Sequence, residues 1–264
     1  PWAMKRNVRF KTGIGPLLDA REQPDEVDAS CLDGLSQKLA PIGQALTLTR
    51  AALSPETALI GFAGAPWTLI TYMAEGGTSR DFPRARRWAW QNKKSLDGLL
   101  EILVDATISF LSLQAQSGAQ TLMLFDSWAS AVPATQRDWL VIKPVRAIVE
   151  GVRKNGHKQP IIGFPKGIGE GLIRYAAESG VDAIGLDHGI DPMWAGQNLP
   201  VKMPVQGNLD PLSLLSAGAE MFRDIDHILD AFHNRPHIFN LGHGITPPTP
   251  VENVQKMINY IRNR

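Results

Sequence analysis

The chain has 264 residues, 44% of them apolar and 20% charged, with a formal net charge of +1. That balance suits a globular domain with a sizeable core and excludes a disordered chain. It gives no broad electrostatic attraction to nucleic acid or to a membrane surface, so recognition of anions has to come from individually placed Arg and Lys.

A single cysteine, Cys31, excludes a disulfide framework within the chain and a Cys-based metal cluster. It points to a reducing compartment, and a cytoplasmic location is expected. The chain opens Pro1-Trp2-Ala3-Met4, with no initiator Met and no leader character, which reads as a start inside a domain.

Residues 1–29 read mostly as loop, with a short strand at Val8-Arg9-Phe10 and a turn-rich stretch over 12–16. Leu32, Leu35, Leu39, Ile42 and Leu46 recur at helical spacing, which predicts a helix over 30–52. The apolar run 58–62 predicts a strand buried on both faces. Gly61 and Gly64 allow close backbone approach there, Pro66 fits the first turn of a helix, and Gly76-Gly77 ends that helix. This unit carries Phe62 at a strand end and Tyr72 on the helix beyond it. Helices are predicted over 83–91 and 94–116; Glu101 and Asp105 make the second a packed helix rather than a membrane span.

Strand 120–125 is followed by a helix over 133–154, kinked at Pro144. Strand 160–164 and a helix to about residue 179 come next, then strand 182–186 and helix 190–198. The chain closes with strand 203–206, helices 211–216 and 219–233, strand 237–241 and helix 250–264. Six strands, each followed by helical sequence, argue for parallel α/β structure. Gly64, Ser127, Lys166, Asp187, Asn208 and His243 fall just after strands, as on one face of a barrel. A doubly wound sheet would alternate in the same way. Six strands fall short of the eight a barrel needs, so closure requires two strands before Pro1. With no internal repeat or linker, residues 1–264 read as one domain.

Several polar positions have plain structural readings. Tyr72 suits core packing on a helix. Ser127 could cap the segment after it. Asp187 could bind loop backbone or face a ligand, and Asn208 and Asp210 read as a turn and N-cap before Pro211. His243, between Gly242 and Gly244, is poorly placed for packing and reads as a functional candidate. Arg80 lies in a loop where an arginine usually contributes little. Gly167-Ile168-Gly169-Glu170-Gly171 imitates a dinucleotide fingerprint, but one residue separates the second and third glycines where two are needed, and Glu170 would sit among the phosphate-binding amides. His233 and His237 are parted by Pro236, which breaks the helix a zinc pair would require.

Taken in order, Ile60–Gly77, Leu124-Phe125-Asp126-Ser127-Trp128, Gly185-Leu186-Asp187, Gln206-Gly207-Asn208-Leu209-Asp210-Pro211 and Phe239-Asn240-Leu241-Gly242-His243-Gly244 resemble the uroporphyrinogen decarboxylase family, from Pro1 to the C-terminus. The resemblance implies a (β/α)8 barrel, of which about six βα units lie in this chain. It implies a homodimer that removes carbon dioxide from the four acetate side chains of uroporphyrinogen III to give coproporphyrinogen III in haem biosynthesis, with no cofactor or metal. It implies that Tyr72 and His243 are catalytic. It also implies that Phe62, Tyr72, Phe125, Ser127 and His243 bind substrate. The family's arginine-rich segment and its strand-borne aspartate are expected upstream of Pro1, which leaves the activity of the chain on its own open. In the implied chemistry, protonating a ring carbon makes the pyrrole an electron sink. An anionic aspartate stabilises the cation, while Tyr72 and His243 hold and orient carboxylates. Two other readings are a zinc-dependent corrinoid or thiol methyltransferase of the same barrel superfamily and a non-catalytic fragment. Cys31, in an early helix away from every strand end, is a poor zinc ligand.

Overall fold

The computed structural model describes residues 1–11, 15–24 and 27–264. Near its start β1 (Val8–Lys11) and β2 (Gly15–Leu18) form an antiparallel pair, Val8 opposite Leu18. The 12–16 turn predicted between them lies, over residues 12–14, outside the described residues. A 3-10 turn (Ala29–Leu32) holds buried Cys31, and α1 (Leu35–Ala52) begins only after it. The helix predicted from residue 30 is broken because Gly34 adopts φ +72°, a left-handed conformation that no helix interior accommodates.

From residue 60 onwards strands and helices alternate. β3 (Ile60–Gly64) leads to α2 (Pro66–Glu75), α3 (Pro83–Gln91) and the long α4 (Lys93–Gln116). Next come β4 (Thr121–Asp126), α5 (Lys143–Lys154), β5 (Ile161–Pro165), α6 (Gly171–Glu178), β6 (Ala183–Gly185) and α7 (Pro192–Asn198). The series ends with β7 (Val205–Leu209), α8 (Pro211–Ser216), α9 (Ala219–Ala231), β8 (His237–Leu241) and α10 (Val251–Arg262). The kinked helix predicted over 133–154 is instead a 3-10 turn, a π-helical stretch (Asp138–Ile142) and then α5. The helical run is continuous from Asp138, and its π-helical turn lies directly before Pro144, which has no N–H to give to the ladder.

The six strands β3 to β8 lie side by side in sequence order, and every pair is parallel. A doubly wound sheet reverses its strand order at a switch point, and this sheet never does, so it is an arc of a barrel. Side chains alternate across the arc with period two. Leu122 and Leu124 of β4 join the main core between sheet and helices, whereas Met123 and Phe125 join a smaller inner cluster with Ile162, Phe164 and Ala183. Gly163 faces outward on β5, and the Tyr175 ring of α6 occupies the space a side chain there would need.

β3 is not buried on both faces. Its residues alternate, with Ile60 at 42% and Phe62 at 60% exposure, because it is an edge of the arc and its inner face looks into an open cleft. Gln114 of α4 supplies what a neighbouring strand would at Phe62. Its Oε1 accepts the Phe62 N–H at 2.8 Å, and its Nε2 donates to the Phe62 carbonyl at 2.8 Å. The Gln114 side chain is itself buried, and Gly61 leaves the room for it. Replacing Gln114 by Leu keeps the volume and leaves both backbone groups unpaired. The expected loss is about 2 kcal/mol, read as a lower midpoint in urea unfolding; an unchanged midpoint would show that Phe62 does not depend on this amide.

Candidate active site

The inner face of the arc opens on a cavity of 430 Å³. Three rings form its aromatic wall, one each from β3, β4 and β5. Phe62 meets Phe125 edge to face with centroids 5.8 Å apart, and Phe125 meets Phe164 in the same way at 5.8 Å. The register places them, since Gly64 is opposite Phe125 and Phe125 opposite Phe164. Gln206 and Asn240 line the same cavity, with His243 at its rim. None of the lining residues is a carboxylate. Gln206 is buried; its amide nitrogen lies 3.9 Å from the Met123 sulfur, and its Oε1 has no hydrogen-bond partner.

The His243 turn is set by Gly242, which packs directly on the backbone of His188 with no room for a side chain. Burial, with the nearby charges of Lys166 and His188, lowers the His243 pKa, and Asp187 opposes this. The imidazole is therefore neutral at neutral pH and presents one donor and one acceptor. Asp187 itself is taken up by backbone. Its Oδ2 accepts the Gly167 N–H at 2.8 Å and its Oδ1 the Gly189 N–H at 2.9 Å. Asn208 is buried and donates to the carbonyls of Asp187 and Ile190. Asp210 caps α8 by accepting the Leu212 N–H. These three hold the loops that carry the site.

The five candidates are thus only partly gathered. Phe62, Phe125 and His243 share the 430 Å³ cavity, while Tyr72 lines a second, larger cavity of 740 Å³. β3 stands between the two: Phe62 faces one, and Ala63 and Gly64 face the other together with Thr68, Leu69 and Tyr72. Ser127 lies in the turn after β4 and caps nothing, since the 3-10 turn that follows (Ala129–Ala131) begins from Trp128 without a side-chain cap. Phe164 and Gln206 were not anticipated as lining residues. A period-two reading of strand 160–164 in step with 120–125 would have put Phe164 beside Phe125, whereas nothing local marks Gln206 as facing the cavity. Arg80 borders a separate cavity with Arg86 and Arg137, away from the aromatic wall. Among the described residues no group of three His, Cys, Asp or Glu side chains is placed to hold a metal ion, and no helix is long and apolar enough to cross a membrane.

The sequence profile of the family described as uroporphyrinogen decarboxylase (URO-D) matches residues 1–264. The chain belongs to this family. A uroporphyrinogen decarboxylase of Maricaulis maris is 46% identical over 264 residues, covering 100% of this chain and 76% of that protein. One from Novosphingobium aromaticivorans is 43% identical over 262 residues, covering 99% of this chain and 76% of its own length. A solved methyltransferase from Methanosarcina mazei superposes with a TM-score of 0.83 over 99% of this chain and 76% of its own, at 15% identity, and that likeness is one of fold.

One further acid lies at the site without facing it. Asp126, the last residue of β4, points outward behind the sheet, fully buried, and burial pushes its pKa up to about 7 against the opposing hydrogen bonds from Thr68. Its ordinary value is 3.8. Between those values the folded state holds the extra proton. The stabilising contribution is therefore complete at low pH and is lost as pH rises through about 7. Raising the pH from about 5 to about 8 should lower the melting temperature of the wild type relative to Asp126→Asn, which cannot titrate. Parallel curves for the two proteins would show that Asp126 does not titrate in that range.

Proposed function

We propose that this chain is a carboxy-lyase that decarboxylates the four acetate side chains of uroporphyrinogen to give coproporphyrinogen in porphyrin biosynthesis. The observation that carries this reading is the match of the whole chain to the uroporphyrinogen decarboxylase family, with relatives of that name at 46% and 43% identity. The zinc methyltransferase alternative is not favoured, because the likeness to a methyltransferase extends only to the fold.

The cavity suits a flexible macrocycle with an apolar face and a charged rim. Its aromatic wall offers Phe62, Phe125 and Phe164 to the pyrrole rings. The unpartnered Gln206 Oε1 is an acceptor of the kind a pyrrole N–H satisfies. In the proposed mechanism the substrate's carboxylates are held at the rim. Neutral His243 donates a hydrogen bond to one of them, and the Tyr72 and Ser127 hydroxyls, which lie outside this cavity, donate to carboxylates that reach past its rim. Holding them fixes the reacting acetate so that carbon dioxide leaves perpendicular to a protonated pyrrole. The anionic charge that stabilises this cation is not supplied by Asp126 or Asp187, whose side chains are committed to α2 and to loop backbone. The single barrel domain over 1–264, the homodimeric state and the cytoplasmic location are part of the same proposal and rest on the family resemblance.

The test is anaerobic incubation of the enzyme with uroporphyrinogen, following carbon dioxide release and the appearance of coproporphyrinogen; no release would overturn the assignment. Tyr72→Phe and His243→Asn should each lower kcat/KM by about 10- to 100-fold while the melting temperature holds. Unchanged kcat/KM in either variant would remove that residue from the site.

A further inference from the structure

Helix α2 carries Tyr72, and Pro66 marks its start without any side-chain cap. It is preceded by Ala65, which has no side chain to cap it, and Pro66 has no N–H to offer. The neighbouring strand instead holds the first turn through side chains. Asp126 Oδ1 accepts the Thr68 hydroxyl at 2.7 Å, both side chains being buried. Two more bonds run along the same seam. The Ala65 N–H donates to the Phe125 carbonyl at 2.8 Å, and the Trp67 indole donates to the Trp128 carbonyl at 3.0 Å.

The four residues Phe125 to Trp128 are thus stitched to the first turn of α2. Thr68 and Tyr72 are one turn apart on that helix and line the same cavity. Asp126 stands between Phe125, which faces the other cavity, and Ser127. We propose that Thr68 and Asp126 are positioning residues of the decarboxylase site, their hydrogen bond tying the first turn of α2 to β4 and holding Tyr72 in register with Phe125 and Ser127. The pair touches no substrate and acts through the residues on either side of it. The inference rests on the reading of Tyr72 and Ser127 as carboxylate-holding groups.

Asp126 has a feature that fits this role and not simple packing. Its second oxygen, Oδ2, is buried without a partner. A polar group with one unmet oxygen is costly in a core that could hold an apolar residue instead. The bond it does make is the one that locks α2 to β4.

The experiment is a double-mutant cycle in the enzyme, with kcat and KM for uroporphyrinogen and the melting temperature measured for each variant. Thr68→Val keeps shape and removes the hydroxyl; kcat/KM should fall about tenfold. Thr68→Ser restores the donor and should recover to within about twofold of wild type. In a Tyr72→Phe background the Thr68→Val effect should shrink to about twofold or less, because the group being positioned is already gone. If the valine variant does not fold, Thr68→Ala is carried through the same cycle. A Thr68→Val enzyme with wild-type kcat/KM overturns the proposal. So does an equal loss in both Tyr72 backgrounds, or a serine variant as impaired as the valine one. A wild-type enzyme that releases no carbon dioxide removes the functional reading itself and this inference with it, whereas an active wild type with an undisturbed Thr68→Val overturns only the positioning role.

Discussion

The first turn of α2 is held by a strand that follows it by more than fifty residues in sequence. Ala65, Trp67 and Thr68 each hydrogen-bond to the Phe125–Trp128 stretch, and the Thr68–Asp126 bond is buried. These bonds tie the start of α2 to the end of β4 and so couple the two segments that carry Tyr72 and Ser127. The strand alternation does the rest. Because Phe125 faces inward, Asp126 must face outward, and a single dipeptide serves the cavity wall and the helix seam at once.

The floor of the cavity is built on different terms. Its walls are the inner face of the parallel arc, where Phe62, Phe125 and Phe164 meet edge to face across three strands. The rim is made of turns that are themselves pinned. Asp187 takes two backbone N–H groups, Asn208 spans two carbonyls, and Gly242 lets the β8 turn lie against His188. A rigid apolar floor with a polar rim suits a substrate whose rings are greasy and whose edges are carboxylates. Preorganised positioning of that kind is where a decarboxylase would find much of its rate.

Much of this was legible beforehand for physical reasons. The strand-and-helix alternation, the placement of Pro83–Gln91, Pro211–Ser216 and His237–Leu241, and the N-cap at Asp210 are local matters of periodicity and turn chemistry, and they stand in the structure. Where local reading failed, the cause was also local but conformational. Gly34 takes a left-handed φ and shortens α1, and the helical run around Pro144 opens into a π-helical turn. The apolar run at β3 suggested burial on two faces, but apolarity does not say whether a strand is central or at an edge.

What the sequence determined by itself was the class of fold and the family, because both rest on the order and type of residues along the chain. It also named Phe62, Tyr72, Phe125, Ser127 and His243. Only the tertiary structure decided how those residues stand to one another. Strand order separated a barrel arc from a doubly wound sheet, which periodicity cannot do since both alternate alike. Folding put Phe62, Phe125 and His243 on one cavity and Tyr72 on the next, and brought Phe164 and Gln206 in beside the first three. It also joined Thr68 to Asp126, a contact that depends on the seating of α2 against the end of β4 and that no local pattern in either segment announces.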